Sequence, residues 1–173
     1  MILKLIIALD KNGVMGIENK LPWCLRDDLK HFKATTDTYP LIMGSNTFKS
    51  LPGVLPNREH IVLSNTLLGD ENKSVFTSIK EVIQYIEDSE YDEAYVIGGA
   101  NLVKQFVELN LLDELIITHV DAETKGDVIL DIDADINIFD YICYNTIEYK
   151  KNEYNEYDFK IKYYKKKKNQ FYQ

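Results

Sequence analysis

Asp28 is the residue whose type and position in this sequence point most directly to chemistry. Leu25, Leu29 and Phe32 recur around it at the i, i+4 and i+7 spacing of one helical face, and the single tryptophan, Trp23, precedes it. A carboxylate at the rim of an apolar face is unfavourable unless a partner or a reaction uses it. Two interpretations stay open from the spacing alone: a solvated acid in the first turn of a helix, or an acid that serves a reaction.

Two glycine junctions between a strand and a helix are candidate phosphate sites. Gly98-Gly99 follows the strand pattern at 93–97 and precedes a helix, and Gly44 is followed by Ser45-Asn46-Thr47. Glycines let backbone N–H groups approach an anion, and a helix N-terminus favours negative charge. Each junction alone fits a tight connection without a ligand equally well. Together they favour one long phosphate-bearing ligand at the strand ends.

Strands and helices alternate along the chain, and these elements must position the candidate residues. Apolar runs predict strands at 1–9, 41–44, 60–63, 75–76, 93–97 and 114–120. Helical spacing predicts helices at 26–36, 46–51, 79–86 and 101–109, with Ser45 and either Thr77 or Ser78 as caps and Leu102, Phe106 and Leu109 facing inward. Alternating residues at 139–149 and 157–165 predict an antiparallel hairpin. We therefore expect a single α/β domain over residues 1–165, with a mixed, mostly parallel sheet of about eight strands, helices on both faces, a C-terminal antiparallel hairpin and a lysine-rich tail at 166–173.

Composition limits the class of protein. Of the 173 residues, 45% are hydrophobic and 12% are aromatic, which indicates a folded globule. The net charge of −8 disfavours a general nucleic-acid binder, and no apolar run is long enough to span a membrane. Cys24 and Cys143 lack the spacing of metal ligands or a redox pair, so we expect reduced thiols, no bound metal and a cytoplasmic protein. We also expect a monomer without nucleic-acid or membrane partners.

These motifs, taken together and in their order along residues 1–165, resemble those of the dihydrofolate reductases. The segments that carry the resemblance are Ala8-Leu9, Gly16-Ile17-Glu18-Asn19, Leu21-Pro22-Trp23, Asp28-Leu29, Phe32-Lys33, Ile42-Met43-Gly44, Thr47-Phe48, Leu55-Pro56-Asn57-Arg58, Leu63-Ser64, Val96-Ile97-Gly98-Gly99-Ala100, Thr118-His119-Val120-Asp121-Ala122 and Gly126-Asp127. Because the motifs are collinear and several are separately uncommon, the resemblance is highly specific.

The resemblance implies a reaction and three catalytic residues. A dihydrofolate reductase transfers a hydride from NADPH to 7,8-dihydrofolate, and antifolate-type small molecules bind the substrate site. Asp28 would hold the pterin ring and favour its protonation at N5, Thr118 would orient Asp28, and Trp23 would hold an ordered water. Burial beside Trp23 should raise the pKa of Asp28.

The resemblance also implies two sets of binding residues. The substrate would be bound by Ile6, Ala8, Leu29, Phe32, Lys33, Leu51, Leu55 and Arg58, with Arg58 as a bidentate fork on the glutamate carboxylate. NADPH would be bound by Ala8, Met15, Gly16, Asn19, Leu21, Gly44, Ser45, Asn46, Thr47, Leu63, Ser64, Asn65, Thr77, Ile97, Gly98, Gly99, Ala100, Asn101, Leu102 and Val103. The family also has a cis peptide at the position of Gly98-Gly99 and a mobile lid at 12–24 that the loop of Asp127 braces.

The sequence departs from the family pattern at the cofactor's adenosine and phosphate end. Ser45, Thr77 and Asn101 stand where many members carry a basic residue for the 2′-phosphate or the pyrophosphate. A cation at such a position discriminates NADPH from NADH, so we expect NADPH to be used with weakened discrimination. Candidate substitutes for the missing cations are Lys49, Lys73 and Lys80.

Three other functions remain open from the sequence. The first is reduction of another nitrogen heterocycle, as in the pyrimidine reductases of flavin synthesis; Phe32 and Arg58 oppose it, because neither has a clear purpose without a p-aminobenzoyl-glutamate tail. The second is a non-catalytic binding protein of the same fold, which would need a lost catalytic group, and none is missing. The third is an anionic partner for the lysine run at 165–168.

Overall fold

An eight-stranded sheet runs through the centre of the computed structural model, which describes residues 1–16 and 20–168. Its strands are β1 (Ile2–Asp10), β3 (Leu41–Gly44), β4 (His60–Leu63), β5 (Ser74–Phe76), β6 (Glu93–Gly98), β7 (Glu114–Val120), β9 (Tyr141–Tyr149) and β10 (Phe159–Lys166). They lie in the order β5-β4-β3-β6-β1-β7-β10-β9, and β10 runs antiparallel to both of its neighbours. The expected α/β fold with a mixed, mostly parallel sheet and a C-terminal antiparallel pair is therefore confirmed.

Four α-helices connect the described strands, and a small second sheet stands apart from them. The helices are α1 (Arg26–Thr35), α2 (Ser45–Ser50), α3 (Ile79–Glu87) and α4 (Ala100–Glu108), and the small sheet pairs β2 (Val14–Gly16) with β8 (Val128–Ile129). A 3-10 turn at Ile138–Asp140 precedes β9. None of the helices in the described ranges is long and apolar enough to cross a membrane.

The central strand β1 contributes side chains to two hydrophobic cores, because successive residues of a strand point to opposite faces. Leu3, Leu5, Ile7 and Leu9 join the core under α3 and α4, whereas Ile6 joins the core on the face of α1 and α2. The uninterrupted apolar run of the sequence is thus explained by burial on both faces.

Helix α1 leaves its apolar face partly open toward the sheet. None of its residues is fully buried, and Leu29 is 49% exposed. The segment before the helix is anchored in the core by Trp23 and Leu25, which are both buried. An apolar face that is anchored at one end and open along its length can receive an apolar ligand.

One expected helix cap is absent from the structure, and the choice between two caps for another helix is decided. Ser45 is not a cap but the first residue of α2, whose N-cap is Gly44 without a side-chain hydrogen bond. Ser78, rather than Thr77, caps α3 by accepting a hydrogen bond from the Glu81 N–H at 3.2 Å. Local propensity does not distinguish two adjacent hydroxyl residues, since both can cap.

Two predictions at element ends were wrong: Leu109 was expected to face inward, and Phe139 was expected to begin a strand. Leu109 is the C-cap of α4 and is 57% exposed, because the helix ends at Glu108 and the helical spacing no longer applies. Phe139 is 73% exposed in the 3-10 turn, and β9 begins only at Tyr141, whose hydroxyl donates to the Leu112 carbonyl at 2.7 Å. The small β2–β8 sheet was not expected, because strands of two or three residues have no periodicity to detect.

Candidate active site

Asp28 lies in the first turn of α1 and is bonded to the sheet through Thr118. The Thr118 hydroxyl, on β7, donates a hydrogen bond of 2.6 Å to Asp28 Oδ1. Desolvation by burial raises the pKa of Asp28 to about 6, although the bond from Thr118 lowers it. A carboxyl group with a pKa near 6 can hold and release a proton close to neutral pH, which is what acid–base chemistry requires.

Trp23 lies buried in the same core and carries a polar atom without a protein partner. Among the described residues, the indole Nε1–H is one of two buried side-chain polar groups that find no hydrogen-bond acceptor or donor. A buried donor left unpaired costs about 1–3 kcal/mol, so such a site favours a small polar molecule beside it. The expected role of Trp23 as holder of an ordered water stays a prediction.

The turn between β9 and β10 fixes the start of α1. Asn155, which is buried, accepts a hydrogen bond from the Asp27 N–H at 3.2 Å and donates from Nδ2 to Asp27 Oδ2 at 2.8 Å. The Glu156 N–H donates to the Cys24 carbonyl at 3.1 Å, and Glu156 Oε1 accepts from the Cys24 N–H at 2.9 Å. We call this set of contacts the hairpin clamp; it holds Cys24 and Asp27, and Asp27 directly precedes Asp28.

The expected substrate residues surround the open face of α1. Ile6 and Leu55 are buried, Ala8, Phe32, Leu51 and Arg58 are half-buried, and Leu29 and Lys33 are exposed. Ala8 pairs in register with Thr118 on the neighbouring strand, which places a small side chain next to the bonded pair. Arg58 donates to the backbone carbonyls of Pro56 and Lys33, so its guanidinium is held against the end of α1.

The two glycine junctions meet at the carboxyl ends of β3 and β6. Met43 pairs with Gly98 in the sheet, and the Gly98-Gly99 peptide is cis, as the resemblance implied. A Cβ on Gly98 would lie 3.6 Å from Thr47 Oγ1, and one on Gly44 would lie 4.0 Å from the Gly99 nitrogen. The glycines therefore bring backbone N–H groups and the Thr47 hydroxyl close together, as a phosphate or an amide-bearing ring requires.

The helix that starts at this junction contributes mainly backbone groups. Leu102 and Val103 have buried side chains in the core under α4, whereas Ala100 is half-buried and Asn101 is exposed. The first N–H groups of a helix have no intrahelical acceptor, so this end of α4 can bind an anion. Ile97, immediately before the glycines, is half-buried on the face of α1.

The remaining expected cofactor residues lie along β4, β5 and the loops that follow. Leu63 and Ser64 are half-buried, and Ser64 Oγ accepts from the Thr66 and Leu67 N–H groups. The residues with exposed or half-buried side chains at the same edge are Ser45, Asn46, Thr47, Asn65 and Thr77. The Thr77 hydroxyl and N–H both donate to Glu81 Oε2, at 3.1 and 3.0 Å, so an acid lies beside a position where many family members carry a cation.

The loop after β1 is held by a buried acid that the sequence interpretation missed. Asp10 Oδ1 accepts from the N–H groups of Asn12 and Val14, and its Oδ2 accepts from the N–H and hydroxyl of Thr124. These bonds keep the pKa of Asp10 below its ordinary value, in spite of burial. An acid directly after an apolar strand is the only signal in the sequence that such a tether exists.

The segment expected to act as a lid is described in part. Met15 and Gly16 lie in β2, Leu21 is exposed, and the Asp127 N–H donates to the Gly16 carbonyl at 3.2 Å. Asn19, an expected cofactor residue, lies outside the described residues. A Cβ on Gly126 would collide with Val14 and with the Gly16 carbonyl, so the loop of Asp127 approaches β2 as closely as a backbone can.

Comparison with known proteins identifies relatives over almost the whole chain. The family model described as dihydrofolate reductase matches residues 2–166. Dihydrofolate reductase type 9 of Escherichia coli is 38% identical over 137 residues, covering 75% of this chain and 76% of that protein. A bifunctional dihydrofolate reductase-thymidylate synthase of Paramecium tetraurelia is 32% identical over 150 residues; these cover 86% of this chain but only 31% of that protein.

A solved structure agrees with the fold as well as with the sequence. The dihydrofolate reductase of Enterococcus faecalis, complexed with NADP(H) and RAB-propyl, superimposes with a TM-score of 0.87 at 30% identity. The match covers 96% of this chain and 97% of that one. This chain thus shares the fold of a dihydrofolate reductase whose solved structure contains NADP(H) and RAB-propyl.

Proposed function

The chain belongs to the dihydrofolate reductase family, and we propose that its reduction of 7,8-dihydrofolate by NADPH depends on Asp28. The observation that carries this assignment is the 2.6 Å hydrogen bond from Thr118 to an Asp28 carboxyl group whose pKa is raised to about 6. Family membership also decides against a pyrimidine reductase of flavin synthesis.

Asp28 holds the pterin ring and handles its proton. Bound NADPH supplies the hydride, and the protein supplies orientation and electrostatics. Asp28 binds the 2-amino group and N3 of the pterin and favours protonation at N5 through a water. Trp23 supports that water with its free indole N–H, and Thr118 holds the carboxylate in one orientation. Leu29 and Phe32, on the open face of α1, pack against the pterin and aminobenzoyl rings.

The glycine junction and its neighbours fit NADPH. Gly44, Gly98, Gly99 and Thr47 leave room for a phosphate next to backbone N–H groups, and Met15 lies close enough to Gly98 to bound the nicotinamide end. The α4 N-terminus adds unpaired N–H groups next to the pyrophosphate. The other residues of the expected cofactor set line the same edge of the sheet.

Discrimination between NADPH and NADH is weak in this protein. The acid Glu81 is bonded to Thr77, and Lys73 is paired with Asp70 while its Nζ lies 5.3 Å from the centre of the Phe48 ring. Ser45 and Asn46 offer hydrogen bonds but no charge. A 2′-phosphate therefore gains less here than at a site with an arginine.

Three further properties stand with this proposal. The catalytic domain extends one residue beyond the expected 1–165, because Lys166 ends β10 and pairs with Tyr141; the lysine-rich residues that follow have no part in turnover. The chain acts as a monomer in the cytoplasm. The two exposed, unpaired cysteines, Cys24 and Cys143, support a reducing compartment.

Asp28→Asn tests the proposed role of the carboxyl group directly. We expect NADPH oxidation that depends on dihydrofolate to fall about 100-fold or more in kcat, because the variant cannot release or accept the proton. In the parent protein, kcat/KM should decrease as the pH rises above about 6, where Asp28 loses its proton. Circular dichroism confirms that the variant is folded, and Glu87→Gln, on the exposed side of α3, serves as the control with the same loss of charge. Near-normal turnover of a folded Asp28→Asn protein would exclude the role assigned to Asp28.

A further inference from the structure

The Arg58 guanidinium is almost fully engaged by protein acceptors. Its side chain is only 4% exposed. Nε donates to the Pro56 carbonyl at 2.9 Å, and Nη1 donates to the Lys33 carbonyl at 3.2 Å and to Thr36 Oγ1 at 2.7 Å. Arginine has five N–H donors, one on Nε and two on each terminal nitrogen. These three contacts therefore use the Nε donor and both donors of Nη1.

The second terminal nitrogen of Arg58 is the end that remains for a ligand. Nη2 has two donors, and one of them is directed at Asp37 Oδ1 at 3.4 Å. The Asp37 side chain is 49% exposed, so this contact is open to solvent. It is also the longest of the four contacts. An incoming carboxylate meets the least resistance at Nη2, and there it meets the Asp37 carboxylate.

We propose that Asp37 sets how strongly this enzyme selects the acidic tail of its substrate, by competing with the tail carboxylate for Arg58 Nη2. The proposal rests on the proposed function, in which Arg58 binds the glutamate of dihydrofolate. A ligand carboxylate at Nη2 displaces Asp37 and leaves two like charges side by side, which is unfavourable. The protein thus gives up part of the affinity that a buried arginine can supply for a planar anion.

The inference separates ligands with a tail from ligands without one. Dihydrofolate carries the p-aminobenzoyl-glutamate tail, whereas 6-methyl-7,8-dihydropterin offers the same reducible ring without any carboxylate. Asp37 acts only on the tail. Its removal should therefore change the KM of the first substrate and leave that of the second as it was.

Asp37→Asn is the test, because asparagine keeps the shape and an acceptor oxygen but removes the charge. We expect the KM for dihydrofolate to fall about three- to tenfold with kcat unchanged, and the KM for 6-methyl-7,8-dihydropterin to stay within twofold. Asp37→Ala should behave in the same way. Glu87→Gln, which makes the same change in net charge on α3, should alter neither KM.

A second background shows whether the effect passes through Arg58. In Arg58→Gln protein, which keeps an amide donor, adding Asp37→Asn should no longer lower the KM for dihydrofolate. An equal change for both substrates, an unchanged KM, or a higher KM for dihydrofolate would each overturn the competition. If the parent protein does not oxidise NADPH with dihydrofolate, the proposed function itself fails; with an active parent, the Asp37 variants bear on this inference alone.

Discussion

At the scale of single residues, Asp28 combines two opposing influences on its pKa. Burial disfavours the charged carboxylate, and the hydrogen bond from Thr118 favours it; burial has the larger effect, since the pKa lies at about 6 rather than at 3.8. Asp28 is therefore buried at the expense of stability in the ligand-free protein, and its raised pKa suits proton transfer. A functional acid at a ligand site is expected to have a raised pKa, whereas a solvated acid on a helix surface is not.

The raised pKa of Asp28 should lower the free energy of unfolding of the parent protein at high pH. The folded pKa of about 6 lies above the unfolded value of 3.8, so the folded protein binds more protons between these values and its free energy of unfolding falls as the pH rises through that window. Asp28→Asn cannot ionise and still accepts the bond from Thr118. In urea titrations at pH 8, we expect the variant to be more stable than the parent by up to about 2 kcal/mol, after allowance for partial solvent screening. At pH 4.5 the difference should shrink to less than half.

Glu87→Gln is the control for this pH series. Glu87→Gln should give the same stability as the parent at both pH values, because that carboxylate is exposed. A difference between Asp28→Asn and the parent that stays constant with pH would mean that the ionisation of Asp28 does not oppose folding.

The sequence was sufficient to identify the main residues of the site, but not the residues that surround and hold them. Asp28, Trp23 and Thr118 could be identified because each stands in a motif of the family, and the structure brings Asp28 and Thr118 into contact. Asn155 and Asp37 could not, since their roles depend on distant partners that no local spacing reveals. Asn155 lies 128 residues from Asp27, with which it shares two hydrogen bonds.

At the scale of elements, α1 is held between the sheet and the hairpin clamp. Thr118 bonds Asp28 to the sheet, Asn155 bonds Asp27 in the first turn, and Glu156 bonds Cys24, two residues before the helix. The helix has little buried surface of its own, because its apolar face is open. Its position therefore depends on these polar contacts as well as on the buried Trp23 and Leu25 before it, which makes the clamp sensitive to single substitutions.

Asn155→Ala should loosen the start of α1. The substitution removes an acceptor for the Asp27 N–H and a donor to its carboxylate at a buried position, so we expect a loss of about 1–3 kcal/mol in the free energy of unfolding. kcat/KM for dihydrofolate should fall as well, because Asp28 follows Asp27 directly. Urea denaturation and steady-state kinetics measure the two effects.

Asn145→Ala is the matched control for the clamp. Asn145 is exposed on β9, within the same hairpin, and its loss should change stability by less than about 0.5 kcal/mol. Equal stability and activity in the two variants would show that the clamp does not position α1.

Most elements could be predicted because their apolar patterns are long. The nine-residue strand β1 and the helices α3 and α4 have clear periods, and the structure contains all three. The boundaries failed where a short polar segment or a single apolar residue decided the end, as at Leu109 and Phe139. The β2–β8 pair depends on tertiary contacts with the loop of Gly126, which no local pattern encodes.

At the scale of the whole molecule, charge opposes both ligands. The net charge is −8, and dihydrofolate and NADPH are anions. Arg26 and Arg58 are the two arginines of the chain. Binding therefore relies on local donors, such as the backbone N–H groups at the glycine junction, rather than on the long-range field.

The ratio of kcat/KM values for NADPH and NADH measures how far the absence of these cations weakens the preference for NADPH. We expect a preference for NADPH well below several hundred-fold, and a rise of about tenfold or more in Ser45→Arg, which restores a cation at the start of α2. Asn145→Arg adds the same charge on β9, at the opposite edge of the sheet, and should leave the ratio as it was. A preference of several hundred-fold in the parent protein would contradict weakened discrimination.

The position of β10 has a consequence for how the protein is made. This strand comes last of the ten strands described, yet it lies inside the sheet between β7 and β9, and the turn before it holds α1. While the ribosome is still adding these residues, β7 has an open edge and the helix that carries Asp28 lacks its clamp. The catalytic centre, most of whose residues are synthesised early, is therefore assembled only after Phe159–Lys166 has emerged.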